Sequence, residues 1–342
     1  MTTAHGWRTK VLAAIVAVAT IFGMMQLVNT EEASANQGTL RPGCEWDLYN
    51  YYVQYCRVWS PSMGKDINVH IKAAPGGSNA GLYLLDGIRA RDEYSGWVWG
   101  GNAPRALEHA NVTMVAPAGG QSSFYTNWQR PAVSTERGVQ NYQWETFLTE
   151  ELPVYLEQNF GVSRSNNAIA GISMGGSAAL SLAANHRDQF KQATVLSGYL
   201  QTSNIVMQTA IAGAQVNVGG YDPTAMWGPI GIPNEDRLRN DPSKLFDQMQ
   251  GLPMYISSAN GMPSQWSDPA ALAADPAQLP PLIDASVLEA LSRASTVVFE
   301  QQARAAGLDP KMKYSNDGVH SWQLWERDLV EASPQILSSL GV

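Results

Sequence analysis

The chain is 342 residues long and carries 22 Lys and Arg against 30 Asp and Glu, a formal net charge of −8. An acidic chain without a basic run argues against nucleic acid and against anionic lipid as partners. The length is large for one domain but ordinary for an α/β fold with a buried sheet.

The first segment reads as a processing signal. Arg8 and Lys10 precede an apolar stretch from Val11 to about Val28, and Ala33-Ser34-Ala35 forms a small-residue cleavage site before Asn36. Residues 1–35 are therefore expected to be a signal peptide, and 36–342 a single exported catalytic domain. An uncleaved anchor is the alternative, because the apolar stretch is somewhat long. Cys44 and Cys56, the two cysteines of the chain, lie twelve positions apart and are candidates for one disulfide.

Residues 36–50 read as an extended arm and Gln54 to Trp59 as a strand. A turn at Pro61-Ser62-Met63-Gly64 leads to Ile67–Lys72, which alternates with Ile67, Val69 and Ile71 inward. His70 then falls on the polar face and reads as solvated. Short continuous apolar runs follow at Gly81–Leu85, Val112–Ala116, Ala168–Ala170, Ala193–Leu196 and Met254–Ser257. Runs without alternation suit strands covered on both faces, as in a parallel sheet. Helical segments between them, such as Gln143–Asn159, give the rhythm of a wound α/β fold. Residues 201–247, rich in Gly, Pro and Asn, read as an insertion over the carboxyl ends of the strands. A second loop-rich stretch runs from Gly261 to Pro281. Asp284–Ala306 reads as a helix, Lys311–Ser315 as a last strand, and His320 as a loop residue before a closing helix.

Gly171-Ile172-Ser173-Met174-Gly175-Gly176 carries the chemistry. It follows an apolar strand and precedes the helical run Ser177–Ala184, the context of a nucleophile elbow. Such a turn exposes the Ser173 hydroxyl and leaves the Met174 N–H free to stabilise an oxyanion. The base must follow the nucleophile in the chain order Ser, acid, His. His70 and His109 precede Ser173, and His186 is tied to the far end of the elbow helix, which leaves His320. For the acid, Asp268 and Glu289 remain open on the residues alone. The second oxyanion donor belongs to a loop after an early strand, where Asp86-Gly87-Ile88-Arg89 offers the Ile88 N–H. Asp86 and Arg89 would stand at the mouth, able to hydrogen-bond a polyol.

Together these motifs carry a likeness. Leu84–Ala90 with Ser95-Gly96-Trp97, Gly119–Tyr125 with Trp128, and Trp144–Leu148 resemble the antigen 85 mycolyltransferases. So do Gly219-Gly220-Tyr221, Met226–Pro229, Asn240-Asp241-Pro242 and His320-Ser321-Trp322, in the same order. The resemblance implies an α/β-hydrolase fold, with a mostly parallel sheet, helices on both faces and an insertion of loop and helix over the site. It implies transfer of a mycolyl group from trehalose monomycolate to a second one or to cell-wall arabinogalactan, without metal or organic cofactor. The partners it implies are trehalose mycolates and cell-wall glycan acceptors in the cell envelope. Carried over by position, Ser173 is the nucleophile, His320 the base and Glu289 the acid. Ile88 and Met174 match the oxyanion amides, and Asp86, Arg89 and Trp322 match residues around the trehalose site.

The chain also departs from that pattern. Gly175-Gly176 stands where the family usually has Ala after Ser-Met, as in plain carboxylesterases. Ser258 stands at the family's cysteine near the acid. The mid-chain cysteine pair is missing, whereas Cys44 and Cys56 are extra. Simple ester hydrolysis with the same residues is the close alternative, and a non-catalytic envelope- or matrix-binding protein the distant one.

Overall fold

A computed structural model describes residues 37–48, 51–263 and 279–342. The expected signal peptide and Asp268 lie outside the described residues. Strands β1 (Cys44–Trp46), β2 (Val53–Ser60), β3 (Lys65–Lys72), β4 (Gly81–Leu85) and β5 (Thr113–Pro117) open the chain. A separate hairpin, β6 (Ala132–Ser134) and β7 (Gly138–Gln140), precedes β8 (Asn167–Ile172), β9 (Phe190–Leu196), β10 (Met254–Ser258) and β11 (Lys311–Tyr314). Nine of these strands form one sheet in the order β1-β2-β3-β5-β4-β8-β9-β10-β11. The pairs from β1 to β5 are antiparallel, and those from β5 through β4 and β8 to β11 are parallel. The fold is thus a mostly parallel α/β sheet of the α/β-hydrolase type.

The lack of alternation in β4 has a direct cause. Leu82 and Leu84 belong to one buried cluster, with Trp97, Leu324, Trp325 and Leu329. Tyr83 and Leu85 belong to the other, with Phe147, Leu152, Leu156 and Leu180. Both faces of the strand are covered by helices, so every residue is apolar. The longer helices are α1 (Leu152–Phe160), α2 (Met174–Asn185), α3 (Ile205–Gly219), α4 (Leu279–Ala305) and α5 (Trp322–Leu340). Among the described residues no helix is long and apolar enough to cross a membrane.

Cys44 and Cys56 are bonded as a disulfide between directly opposed positions of β1 and β2. One local expectation needs correction. His70 is not solvated: it is buried, with Nε2 3.4 Å from Asp47 Oδ2 and Nδ1 3.5 Å from the Ser95 N–H. The outer face of β3 is covered there by the loop after Asp92, so alternation stops marking exposure. The helix expected over residues 143–159 runs without a gap from Trp144 to Phe160, with a π-helical turn at Phe147–Glu151 before α1. Pro153 accounts for the widened turn, since it has no N–H to donate and its ring crowds the carbonyl four residues back. Residues 201–247 hold both loop and helix, as expected of the insertion, and α3 fills fifteen of them. That helix is capped by the Asn204 side chain and ended by Gly220 at φ 61°.

Candidate active site

Sheet register brings the carboxyl ends of the central strands level. Leu85 faces Gly171, Ile172 faces Leu196, and Leu196 faces Ser257. Ser173 leaves β8 at this edge with φ 52° and ψ −122°, a conformation costly for a residue with a side chain. Neighbouring bonds hold it there. Its N–H donates to Leu196 O at 2.9 Å, and its carbonyl accepts from Gly176 and Ser177 at 3.0 and 3.2 Å.

The glycines around it are steric requirements. A Cβ on Gly171 would lie 2.1 Å from Gly175 O, and one on Gly175 would lie 2.4 Å from Asp86 O. The sequence departure at Gly175 therefore has a packing reason: α2 begins directly against the backbone at the end of β4. Met174, the first residue of α2, has its N–H in the turn where no intrahelical acceptor exists.

The loop after β4 lies against the elbow, because a Cβ on Gly87 would sit 3.5 Å from Ser173 Cβ. Ile88 is half-buried there, and its carbonyl accepts from Ser122 N–H at 3.0 Å. Asp86 and Arg89 part company. Asp86 is buried, not at the mouth; one oxygen accepts from Gly96 N–H at 2.9 Å and the other has no hydrogen-bond partner among the described residues. Burial pushes its carboxyl up to about 7, against the pull of hydrogen bonds from the Ser95–Trp97 turn. Arg89 is exposed.

Glu289 and His320 meet on the far side. Glu289, on α4, is fully buried and surrounded by donors: Ser197 Oγ at 2.9 Å, Ala259 N–H at 2.7 Å and His320 Nδ1 at 2.8 Å. Because a carboxylate in this setting accepts, the network assigns the proton to Nδ1 of His320. The other ring nitrogen, Nε2, is buried and bonded to nothing among the described residues. Backbone contact with α4, His320 N–H to Ala285 O at 3.1 Å, fixes the loop. Trp325 packs edge-on against the imidazole, ring centres 4.9 Å apart, and its Nε1 donates to Ser197 Oγ at 3.0 Å.

Trp322 is half-buried in a glycine bed. A Cβ on Gly96, Gly100 or Gly101 would come within 2.3, 2.7 and 2.8 Å of its indole. The Gly96 N–H that bonds Asp86 is part of that bed, which links Trp322 to Asp86. Sequence reading missed Ser197, Trp325 and this bed. The Ser197-Gly198 pair directly after a buried strand was the available signal, since Ser197 sits at φ 54°. His186 and His109 stand apart: His186 bonds Glu145 at 2.7 Å, and His109 is exposed in a turn.

With the geometry in place, comparison with known proteins is informative. Residues 60–336 match the Esterase family. "Diacylglycerol acyltransferase/mycolyltransferase Ag85B" of Mycobacterium avium is 37% identical over 340 residues, spanning 98% of this chain and 96% of its own. "Diacylglycerol acyltransferase/mycolyltransferase Ag85A" of Mycobacterium leprae is 35% identical, spanning 98% of this chain and 95% of its own. The crystal structure of Mycobacterium tuberculosis MPT51 (FbpC1) superposes with a TM-score of 0.70 at 32% identity, over 84% of this chain and 98% of that one. An S-formylglutathione hydrolase from Agrobacterium tumefaciens shares the fold at a TM-score of 0.61 and 15% identity, over 89% of this chain and 100% of that one. The chain belongs to the esterase family and, within it, to the antigen 85 mycolyltransferases.

Proposed function

We propose that this protein is an exported acyltransferase that moves a mycolyl group from trehalose monomycolate to a second sugar hydroxyl through an ester on Ser173. The observation that carries the reading is the Glu289–His320 bond at 2.8 Å, with Nε2 of the same imidazole left without a partner among the described residues. A base so oriented has one defined tautomer and one nitrogen to offer a nucleophile. Membership of the antigen 85 family supplies the substrate class.

In the first step Nε2 of His320 takes the Ser173 proton as Oγ attacks the ester carbonyl. The contact between them closes when substrate is bound, as catalytic hydrogen bonds commonly do. The oxyanion forms against the N–H groups of Met174 and Ile88. The ester C–O bond then breaks, and the trehalose oxygen leaves with the proton held by His320. In the second step an acceptor hydroxyl gives its proton to Nε2 and attacks the acyl-enzyme, and Ser173 regains the proton as the new ester forms. Glu289 accepts from Nδ1 throughout and stabilises the imidazolium. Neither step calls for a metal or an organic cofactor.

Hydrolysis would use the same three residues. Transfer is favoured by the names of the relatives. Residues 1–35 are read as the signal peptide, with the enzyme acting in the cell envelope. The Cys44–Cys56 disulfide fits that compartment. Arg89 and Trp322 are read as the edge of the sugar site, and Asp86, with one oxygen unpartnered among the described residues, as a buried group behind that edge.

The nucleophile is tested with a fluorophosphonate probe. Wild type should be labelled and Ser173→Ala should not; absence of label on folded wild type would revive a non-catalytic binding protein. Acceptance of a sugar is tested with trehalose monomycolate and isotopically labelled trehalose, where label should enter the monomycolate pool.

A further inference from the structure

We propose that Tyr125 is a positioning residue for the oxyanion hole, and that the loop carrying it, residues 119–125, sets the spacing between the Ile88 and Met174 N–H groups. The inference rests on the serine-ester chemistry proposed for Ser173 and deepens it by naming what holds the two donors in place.

The donors come from separate parts of the chain, the turn after β4 and the first residue of α2. No hydrogen bond among the described residues joins Ile88 to Met174. Loop 119–125 reaches both. Ser122 N–H donates to Ile88 O at 3.0 Å, and Phe124 N–H donates to Met174 Sδ at 3.3 Å. Tyr125 supplies a third tie: its hydroxyl accepts from Asp86 N–H at 3.0 Å and donates to Gly119 O at 3.3 Å. One loop thus holds the turn after β4 at two points, Asp86 and Ile88, and holds the Met174 side chain as well.

The loop is stiff enough for that task. Ser122, Phe124 and Tyr125 sit at φ 60°, 52° and 49°, left-handed conformations that are costly for residues with side chains. Three of them this close together persist only where the surrounding contacts over-determine the backbone. The Tyr125 ring is fully buried and packs edge-on against Trp144, ring centres 5.3 Å apart. Burial pushes its phenol well above the ordinary range, so the hydroxyl keeps its proton and can serve Gly119 and Asp86 together. Because Trp144 holds the ring itself, Tyr125→Phe removes the tie and leaves the packing.

Oxyanion donors act through placement. They must point at where the oxygen sits in the tetrahedral intermediate, not where the ground-state carbonyl lies. A side chain that sets their spacing should therefore alter binding of the transition state and leave binding of the ester alone.

The test is single-turnover acylation of Ser173 by p-nitrophenyl butyrate, an ester without a sugar. It is paired with inhibition by an alkyl trifluoromethyl ketone, whose hemiketal oxygen takes the oxyanion position. In Tyr125→Phe the maximal acylation rate should fall roughly tenfold, the size expected of one lost hydrogen bond, with the half-saturating ester concentration unchanged. The ketone inhibition constant should rise by the same factor. Met174→Leu keeps the N–H and the bulk but loses the sulfur acceptor, so it should move both quantities in the same direction. It carries the test if Tyr125→Phe does not fold. An unchanged acylation rate in the folded variant, or slower acylation with an unchanged ketone constant, would overturn the inference alone. Absence of fluorophosphonate label on folded wild type would overturn the Ser173 chemistry and this inference with it.

Discussion

Glu289 Oε2 lies 2.8 Å from Nδ1 of His320, and its other oxygen is held by Ser197 Oγ and the Ala259 N–H. The acid is thus gripped from three sides in a fully buried position. Glu289→Ala would leave two buried protein donors and the imidazole N–H without an acceptor. We expect a fall in kcat of about four orders of magnitude, as for a triad that loses its orienting acid. We also expect a loss of stability of about 1–3 kcal/mol or more, read by denaturant melts.

Ser197 should act through Glu289 and not on substrate. Ser197→Ala removes one donor to the carboxylate and the acceptor of Trp325 Nε1. The expected outcome is a drop in kcat of about tenfold with KM nearly unchanged. A double-mutant cycle with Trp325→Phe should show coupling of about 0.5–3 kcal/mol. Additive effects would mean that the two side chains do not work as a unit.

Asp86 gives a pH signature. Burial raises its folded pKa from 3.8 to about 7. Between those values the folded state binds a proton that the unfolded chain has released, so stability falls as pH rises across that window and levels off above it. The contribution is on the order of a few kcal/mol. Asp86→Asn should flatten this slope in melts run from pH 4 to 8; an unchanged slope would assign it to another group.

Glu145 works in the opposite direction. Burial opposes its charge, but hydrogen bonds from His186 and Arg239 outweigh it and hold the pKa at about 2. Arg239 is bidentate, at 2.6 and 2.8 Å, and His186 stands at 2.7 Å. The folded pKa lies below the ordinary value of 4.5, so the stabilisation is present above that pH and lost as pH falls toward 2. Glu145→Gln should lower the thermal midpoint at pH 7 and remove part of the acid transition. Because Arg239 belongs to the insertion and His186 ends α2, proteolysis within residues 201–247 should also quicken.

Reduction of the Cys44–Cys56 bond should cost about 3 kcal/mol in the chain-entropy model for a loop of this length. Melts with and without dithiothreitol measure it. The bond ties β1 to β2 at one edge of the sheet, away from β8, so labelling of Ser173 in the folded reduced protein should be unchanged.

How much of this could be read from residues depends on how local each feature is. The elbow is legible because Gly171 and Gly175 are forced by contacts within a few residues and one neighbouring strand. The strands are legible because both faces are buried. The acid was not: Asp268 and Glu289 could not be separated, since the choice depends on how α4 packs beside β9 and β10. The family resemblance pointed to Glu289 where spacing could not. His70 misled because its cover comes from Asp47 and Ser95, distant in sequence. Asp86 looked like a surface residue because the Gly96 turn that buries it lies ten positions on.

The most direct test of the central claim is product analysis with purified protein and trehalose monomycolate alone in water. The account predicts trehalose dimycolate and free trehalose in equal amounts, both lost in Ser173→Ala and in His320→Ala. Free mycolate with no dimycolate or other acylated acceptor would contradict it and make the protein a hydrolase.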